Sequence, residues 1–330
     1  MHRGRVTARS FLPSRLLDLP FARQTAVSSG VSASRLRARD LRTPFHGVWV
    51  DAALPCDVFW SSRAYLERMS ATNVFSHVTA AQLYRLPVPQ YLADARIIHV
   101  SRSAGGTAPS GRGVMGHELS GELWQTRDVV HREQERGELF AFPVVAPGVL
   151  WAQLAEVLDG DDLVALGDAI VTGPSPLAGI QDLRAVVELC AGRRGARSMR
   201  DALPSIRSGP LSRPESLVRL QMVRGGLPEP VLNSTVHDQH GERIGEPDFC
   251  WPEFRVLAEY DSEQFHGERR RRPDRERLEL YNDGGWASVV AYRSDVFTDP
   301  NPFLGRLARR LRAGGWRPDR EPWHIAGARR

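Results

Sequence analysis

The chain reads as an α/β (α+β) protein of more than one compact unit, and three observations lead there. Its 330 residues exceed what one ordinary hydrophobic core serves, so two or three units are expected. An apolar share of 42% beside a charged share of 25% suits globular units and argues against disorder. Stretches with helical periodicity are interleaved with short runs that alternate apolar and polar, as strands do.

Charge and special residues narrow the chemistry. The net charge of +5 makes a polyanionic partner, DNA above all, reasonable. The sequence contains no lysine, so all 44 basic residues are arginine. No intrachain lysine can then serve as base, Schiff-base former or phosphate clamp, and arginine stays protonated. Cys56, Cys190 and Cys250 are far apart and form no CxxC pair, which argues against a disulfide framework and a structural zinc site. The first residues lack an apolar signal region, and the longest apolar stretch, 139–152, is short and broken by Pro143, Pro147 and Gly148. A cytoplasmic protein without a membrane partner is the expectation.

In chain order, residues 1–20 mix Arg, Ser, Leu and Pro and are expected to be poorly ordered. Residues 22–29 read as a short helix stopped by Gly30, and Ser32 can N-cap a second helix over 33–40. Residues 45–50 alternate like a strand. Helix, turn, helix and hairpin wing is the order of a winged helix-turn-helix, expected over 21–60. Arg35 and Arg39 share one face of the second helix, with Arg42 just beyond. There they would meet phosphates or guanine edges, or else form a solvated basic face.

An α/β middle region is expected over 61–205. Residues 76–83 read as a capped helix, 97–101 as a strand, 105–113 as a Gly-rich loop, and 150–158 and 162–171 as helices. His77, His99 and His117 lack ligand spacing, so each reads as an ordinary packed or surface histidine.

The last part, 206–330, carries the richer pattern. Ser212, Pro214 and Glu215 have the form of a capped helix start, which gives Glu215 a structural task of its own. The helix runs to Gly225 and Gly226. A strand-like segment over 243–250 bears Asp248, and a turn leads to a second strand over 255–261. Alternation puts Glu259 and Asp261 on one face with Leu257, and Val256, Ala258 and Tyr260 on the other. Two acids there repel unless a cation sits between them. With Asp248 brought alongside by a hairpin, three carboxylates suit Mg²⁺ or Mn²⁺, ions that take oxygen ligands. Solvated acids at an exposed strand end remain the plainer alternative.

The segments Ser-Arg-Pro-Glu-Ser at 212–216, Glu-Pro-Asp-Phe-Cys-Trp-Pro at 246–252, Arg-Val-Leu-Ala-Glu-Tyr-Asp-Ser at 255–262, Pro-Asp-Arg-Glu-Arg-Leu-Glu-Leu at 273–280 and Gly-Gly-Trp-Ala-Ser-Val-Val-Ala-Tyr at 284–292 are found in that order. Together they resemble the very-short-patch-repair-like branch of the PD-(D/E)xK endonuclease superfamily. The resemblance implies a restriction-endonuclease-like mixed sheet flanked by helices and a metal-dependent endonuclease acting on DNA. It also implies that Asp248 is the metal-binding aspartate and Glu259 the second acid. Asp261 stands where the superfamily has lysine, a replacement common in this branch, and His266 matches a histidine associated with the site. Glu215 would assist from the leading helix. Ser262 departs from the usual glycine. On the helix after the second strand, arginines such as Arg271, Arg275 and Arg277 would hold the DNA backbone.

Over 21–175, the segments at 30–37, 45–50, 76–83 and 161–169 are similar to proteins with an abortive-infection-type (AbiEi-like) antitoxin domain. That similarity implies a promoter-binding winged helix and a toxin or defence-system partner. A non-enzymatic alternative follows: an antitoxin-like regulator with a degenerate nuclease fold.

Overall fold

The computed structural model describes residues 11–93, 97–133, 137–261 and 268–318, without the side chains of 268–275. The chain divides into two compact units, Met1–Leu154 and Ala155–Arg330. The division falls inside the expected middle region. Strands and helices are mixed in both units, as an α/β chain requires.

The first unit begins with a small sheet. Strand β1 (Phe21–Ala22) leads into α1 (Arg23–Ser28), and the β2 (Leu41–Phe45)–β3 (Val48–Asp51) hairpin follows, giving the order β1-β3-β2. Two expectations fail here. Leu12 and Leu16, in the second half of the stretch expected to be poorly ordered, are buried with Phe21, Ala26 and Val31, so apolar burial ties down 11–20, whereas 1–10 lie outside the described residues. The expected second helix over 33–40 is only a single 3-10 turn, Arg35–Arg37. Arg35 explains why: its guanidinium turns back onto Asp40 in a two-pronged ion pair, and the chain becomes extended at Ala38.

The rest of the unit contains α2 (Val58–Leu66), β4 (Asn73–Phe75), α3 (His77–Leu83), α4 (Gln90–Ala93), β5 (Ile98–Ser103), β6 (Val114–Leu119), β7 (Thr126–Arg132), β8 (Leu139–Val145) and α5 (Pro147–Leu154). The five strands order as β6-β5-β4-β8-β7, with β5 and β6 parallel. Phe75, Val100, Phe142, Val144 and Trp151 are fully buried. The capped helix expected at 76–83 and the strand at 97–101 correspond to α3 and β5. The loop at 105–113 crosses β6 so closely at Pro109 that Gly116 has no room for a Cβ.

The second unit opens with α6 (Gly160–Val171), α7 (Ile180–Leu189), α8 (Ala196–Ala202) and α9 (Arg213–Arg224). Asp159 N-caps α6 and Ser212 N-caps α9. Arg219 of α9 is buried and donates to Asp168 of α6, to Glu229 and to the Ser205 carbonyl. Then come β9 (Val231–Leu232), β10 (Val236–His237), β11 (Arg243–Gly245), β12 (Phe249–Trp251), β13 (Val256–Asp261), α10 (Glu268–Asp283), β14 (Ala287–Tyr292), α11 (Arg293–Phe297) and α12 (Asn301–Ala313). The main sheet orders as β14-β13-β12-β9. β12 and β13 form an antiparallel pair, and α10 carries the chain over to β14, parallel to β13.

Alternation along β13 sorts the core as expected. Val256, Ala258 and Tyr260 pack with α9 and α12 through Leu217, Met222, Phe303 and Leu307. Leu257 packs on the opposite face with Cys250, Tyr281 and Trp286. Among the described residues, no helix is long and apolar enough to cross a membrane.

Candidate functional site

The β12–β13 hairpin builds the site. Its turn is a 3-10 turn at Pro252–Phe254, closed by Arg255 at a φ of 52°. Phe249 pairs with Ala258, so one step outward Asp248 stands opposite Glu259. On the other side of β12, Phe249 pairs with Leu232, which puts Asn233 opposite Asp248. The Asn233 amide donates to the Asp248 carbonyl at 3.0 Å.

Glu215 reaches the same end of the sheet from the start of α9. It is buried, accepts from the Leu211 amide (2.8 Å) and the Ser212 hydroxyl (2.7 Å), and also accepts from Asn233 Nδ2 (3.0 Å). Its capping task is therefore real, and it also places a charge beside Asp248. Burial is the main force raising the Asp248 carboxyl, with Glu215 and Glu259 adding to it. The Tyr260 amide, donating at 2.7 Å, and Arg277 pull the other way. The balance leaves Asp248 pushed up to about 7, poised between its protonated and charged forms at neutral pH.

Glu259, 6% exposed, accepts from Arg277 Nη2 of α10 at 2.7 Å. Tyr281, also on α10 and fully buried, turns its hydroxyl toward Glu259 short of a well-formed hydrogen bond. Burial and then the Glu259 charge push that phenol upward, so it stays neutral. Gly245 makes room for it, since a Cβ there would collide with the Tyr281 hydroxyl.

The site thus differs from the expected trio. Asp248 and Glu259 come together as predicted, with Glu215 as the third charge acting on Asp248. Asp261 lies two residues further on, half-buried at the end of β13. Among the described residues, no three carboxylates bring one oxygen each within 4.8 Å of one another, so Asp248, Glu259 and Asp261 do not form a ready cage. Asp261 stands two residues beyond Glu259 along β13, and Arg277, expected on the DNA backbone, pairs with Glu259 instead. His266 lies outside the described residues. Arg271 and Arg275 stand on α10, but their side chains also lie outside them.

The N-terminal arginines separate. Arg35 is buried and held by Asp40, so it does not present a DNA-binding face. Arg42 donates to the Leu54 and Pro55 carbonyls, a structural use as well. Arg39 is exposed. In the second unit, the edge strand β14 and α12 enclose an open groove of about 500 Å³ bordered by Arg306, Arg309 and Arg310. Arg306 donates to the Val290 carbonyl and to Asp295, while Arg309 and Arg310 are exposed. The groove reaches Tyr292, the register partner of Asp261.

Sequence reasoning missed Asn233 and Tyr281. Asn233 has no motif, and its role comes from pairing with β12; Tyr281 reads as one more helix aromatic. Three histidines of the first unit, His77, His99 and His117, also converge, which their spacing does not announce.

No family model matches the chain. Two curated relatives, the uncharacterized proteins MT2308 and Rv2248 of two Mycobacterium tuberculosis strains, are each 36% identical over 121 residues. The match covers 36% of this chain and spans 44% of the length of each relative. A crystal structure of the Rv2827c protein from Mycobacterium tuberculosis superposes with a TM-score of 0.37 at 17% identity. It covers 56% of this chain and 72% of that one, a likeness too slight to fix a fold.

Proposed function

We propose that the second unit is a metal-dependent DNA endonuclease domain of the PD-(D/E)xK type, coupled to a DNA-binding region in the first. The observation that carries this reading is the facing pair of half-buried Asp248 and buried Glu259 at one end of a mixed sheet, with the Glu215 charge beside it. A carboxyl that burial first, and neighbouring carboxylates second, push up to about 7 is relieved by a bound cation. Asp248 and Glu259 would hold Mg²⁺ or Mn²⁺, with Asp261 adding a ligand or orienting water, and oxygen donors suit those ions. Such an ion polarises a phosphodiester and acidifies an attacking water. In its charged form Asp248 would serve as a ligand, Glu215 and Asn233 hold the segment that bears it in place, and His266 is the candidate for proton transfer. The helix before the hairpin and the α10 crossover to a parallel strand agree with the restriction-endonuclease-like arrangement. Arg309 and Arg310 offer phosphate contacts.

Arg277 favours a second reading. An arginine already neutralising Glu259 suits a nuclease fold that has lost its ion and serves an antitoxin-like, DNA-binding regulator with a toxin or defence-system partner. The first unit supports it through the order of α1, a short turn and the β2–β3 hairpin, with Arg39 exposed.

Supercoiled plasmid with Mg²⁺ or Mn²⁺ decides between them. Nicking that Asp248→Ala abolishes supports the enzyme, and absence of nicking with either ion sinks it. The regulator reading expects promoter binding that weakens on Arg39→Ala, with the salt slope falling by about 1.

A further inference from the structure

The first unit gathers three imidazoles that the endonuclease reading does not use. His77 is the first residue of α3, directly after β4, and its φ of 48° is unusual for a residue with a side chain. His99 lies on β5 and His117 on β6. Parallel pairing of these strands matches Ser101 with His117, so His99 and His117 sit diagonally on one face. His99 Nδ1 and His117 Nε2 are 3.0 Å apart. The His77 ring stacks on His117 with centroids 3.7 Å apart. One nitrogen from each ring lies within 4.8 Å of the other two.

We propose that His77, His99 and His117 bind one borderline divalent transition ion, Zn²⁺ foremost, through three imidazole nitrogens with a fourth position open to solvent. Tetrahedral zinc with bonds of about 2.0–2.1 Å sets its ligand nitrogens about 3.3 Å apart. The His99–His117 pair is close to that already, and the rings need only fan apart from their stack. A donor set without any carboxylate disfavours Mg²⁺ and Ca²⁺, whereas imidazole suits zinc, cobalt, nickel and copper. All three rings are half-buried, which leaves an entry path.

The surroundings hold the rings as the second shell of a metal site does. Ser76 Oγ lies 3.1 Å from His77 Nδ1, which leaves Nε2 for the ion. Gln153 accepts from the His77 amide at 3.1 Å and reaches Ser101. The His99 amide donates to Thr79 Oγ1, and the His99 carbonyl accepts from the Ser76 amide. The β4–α3 junction is thereby tied to β5 where the ligands meet.

The test uses the full chain carrying Asp248→Asn, so that counted metal does not belong to the acid site. After stripping with a chelator and dialysis against Zn²⁺, one zinc per chain is expected by elemental analysis. His99→Asn and His117→Asn should each weaken binding at least ~100-fold, with circular dichroism confirming the fold. Co²⁺ should give the strong visible bands of a tetrahedral site. Should a variant fail to fold, wild-type chain answers: Zn²⁺ should protect the three histidines from diethyl pyrocarbonate, read by mass spectrometry. No stoichiometric zinc, zinc retained in both histidine variants, or unprotected histidines would overturn the proposal. Plasmid nicking, positive or negative, bears on none of these outcomes.

Discussion

The two clusters solve the burial of titratable groups in opposite ways. In the first unit, burial and two neighbouring imidazoles push His77 down to about 2, and burial with His117 pushes His99 down to about 4. Those rings rest neutral, with lone pairs ready and no countercharge needed. In the second unit the acids are compensated inside the protein: Arg277 takes Glu259, and Asp248 is kept half-protonated. A neutral cluster offers itself to a cation, whereas a compensated one must first release an arginine and a proton. The contrast teaches why geometry alone marks the histidines, while the acids needed a sequence pattern to be noticed.

The comparison can be broken at the acid side. The largest effect is expected at Arg219, whose removal strands Asp168 in the interior. Arg219→Ala should cost about 3–5 kcal/mol in chemical denaturation. A loss within error would mean that the α6–α9 scaffold under Glu215 does not rely on that pair. Arg277→Ala should cost less, about 1–3 kcal/mol, because Arg277 is half exposed although Glu259 is buried. Mg²⁺ should raise the melting temperature of this variant more than that of the wild type. An equal shift in both would show that Arg277 does not compete with the ion.

A further effect concerns pH. A raised folded pKa means that the native state holds the Asp248 proton up to about pH 7, whereas the unfolded chain loses it near 3.8. Stability without metal should therefore fall as pH rises from about 4 to about 7. Asp248→Asn should flatten that slope, and melting curves across the window would reveal it. Identical slopes would mean that Asp248 is not held protonated.

Much of the acid site was legible because its signals are local. The alternation of β13 follows from a period of two, and Ser212 and Glu215 cap a helix from adjacent positions. Asp248 needed only a short hairpin to reach Glu259. Arg35 and Arg277 were misread for one reason: a charged side chain on a periodic segment looks solvated until its partner is known. Their partners, Asp40 and Glu259, are fixed by a turn in one case and by a crossover helix in the other.

By itself the sequence determined the α/β class and the places of β13 and α9, since periodicity and capping act over a few residues, whereas the strand expected over 243–250 is divided between β11 and β12 of two different sheets, with Asp248 just before β12. Only the tertiary structure decided that Arg277 neutralises Glu259, that Glu215 rather than Asp261 presses on Asp248, and that three histidines spaced about twenty residues apart converge from α3, β5 and β6. Those outcomes depend on strand register and on which element packs over which, and register is settled by burial across the whole sheet rather than by any one segment.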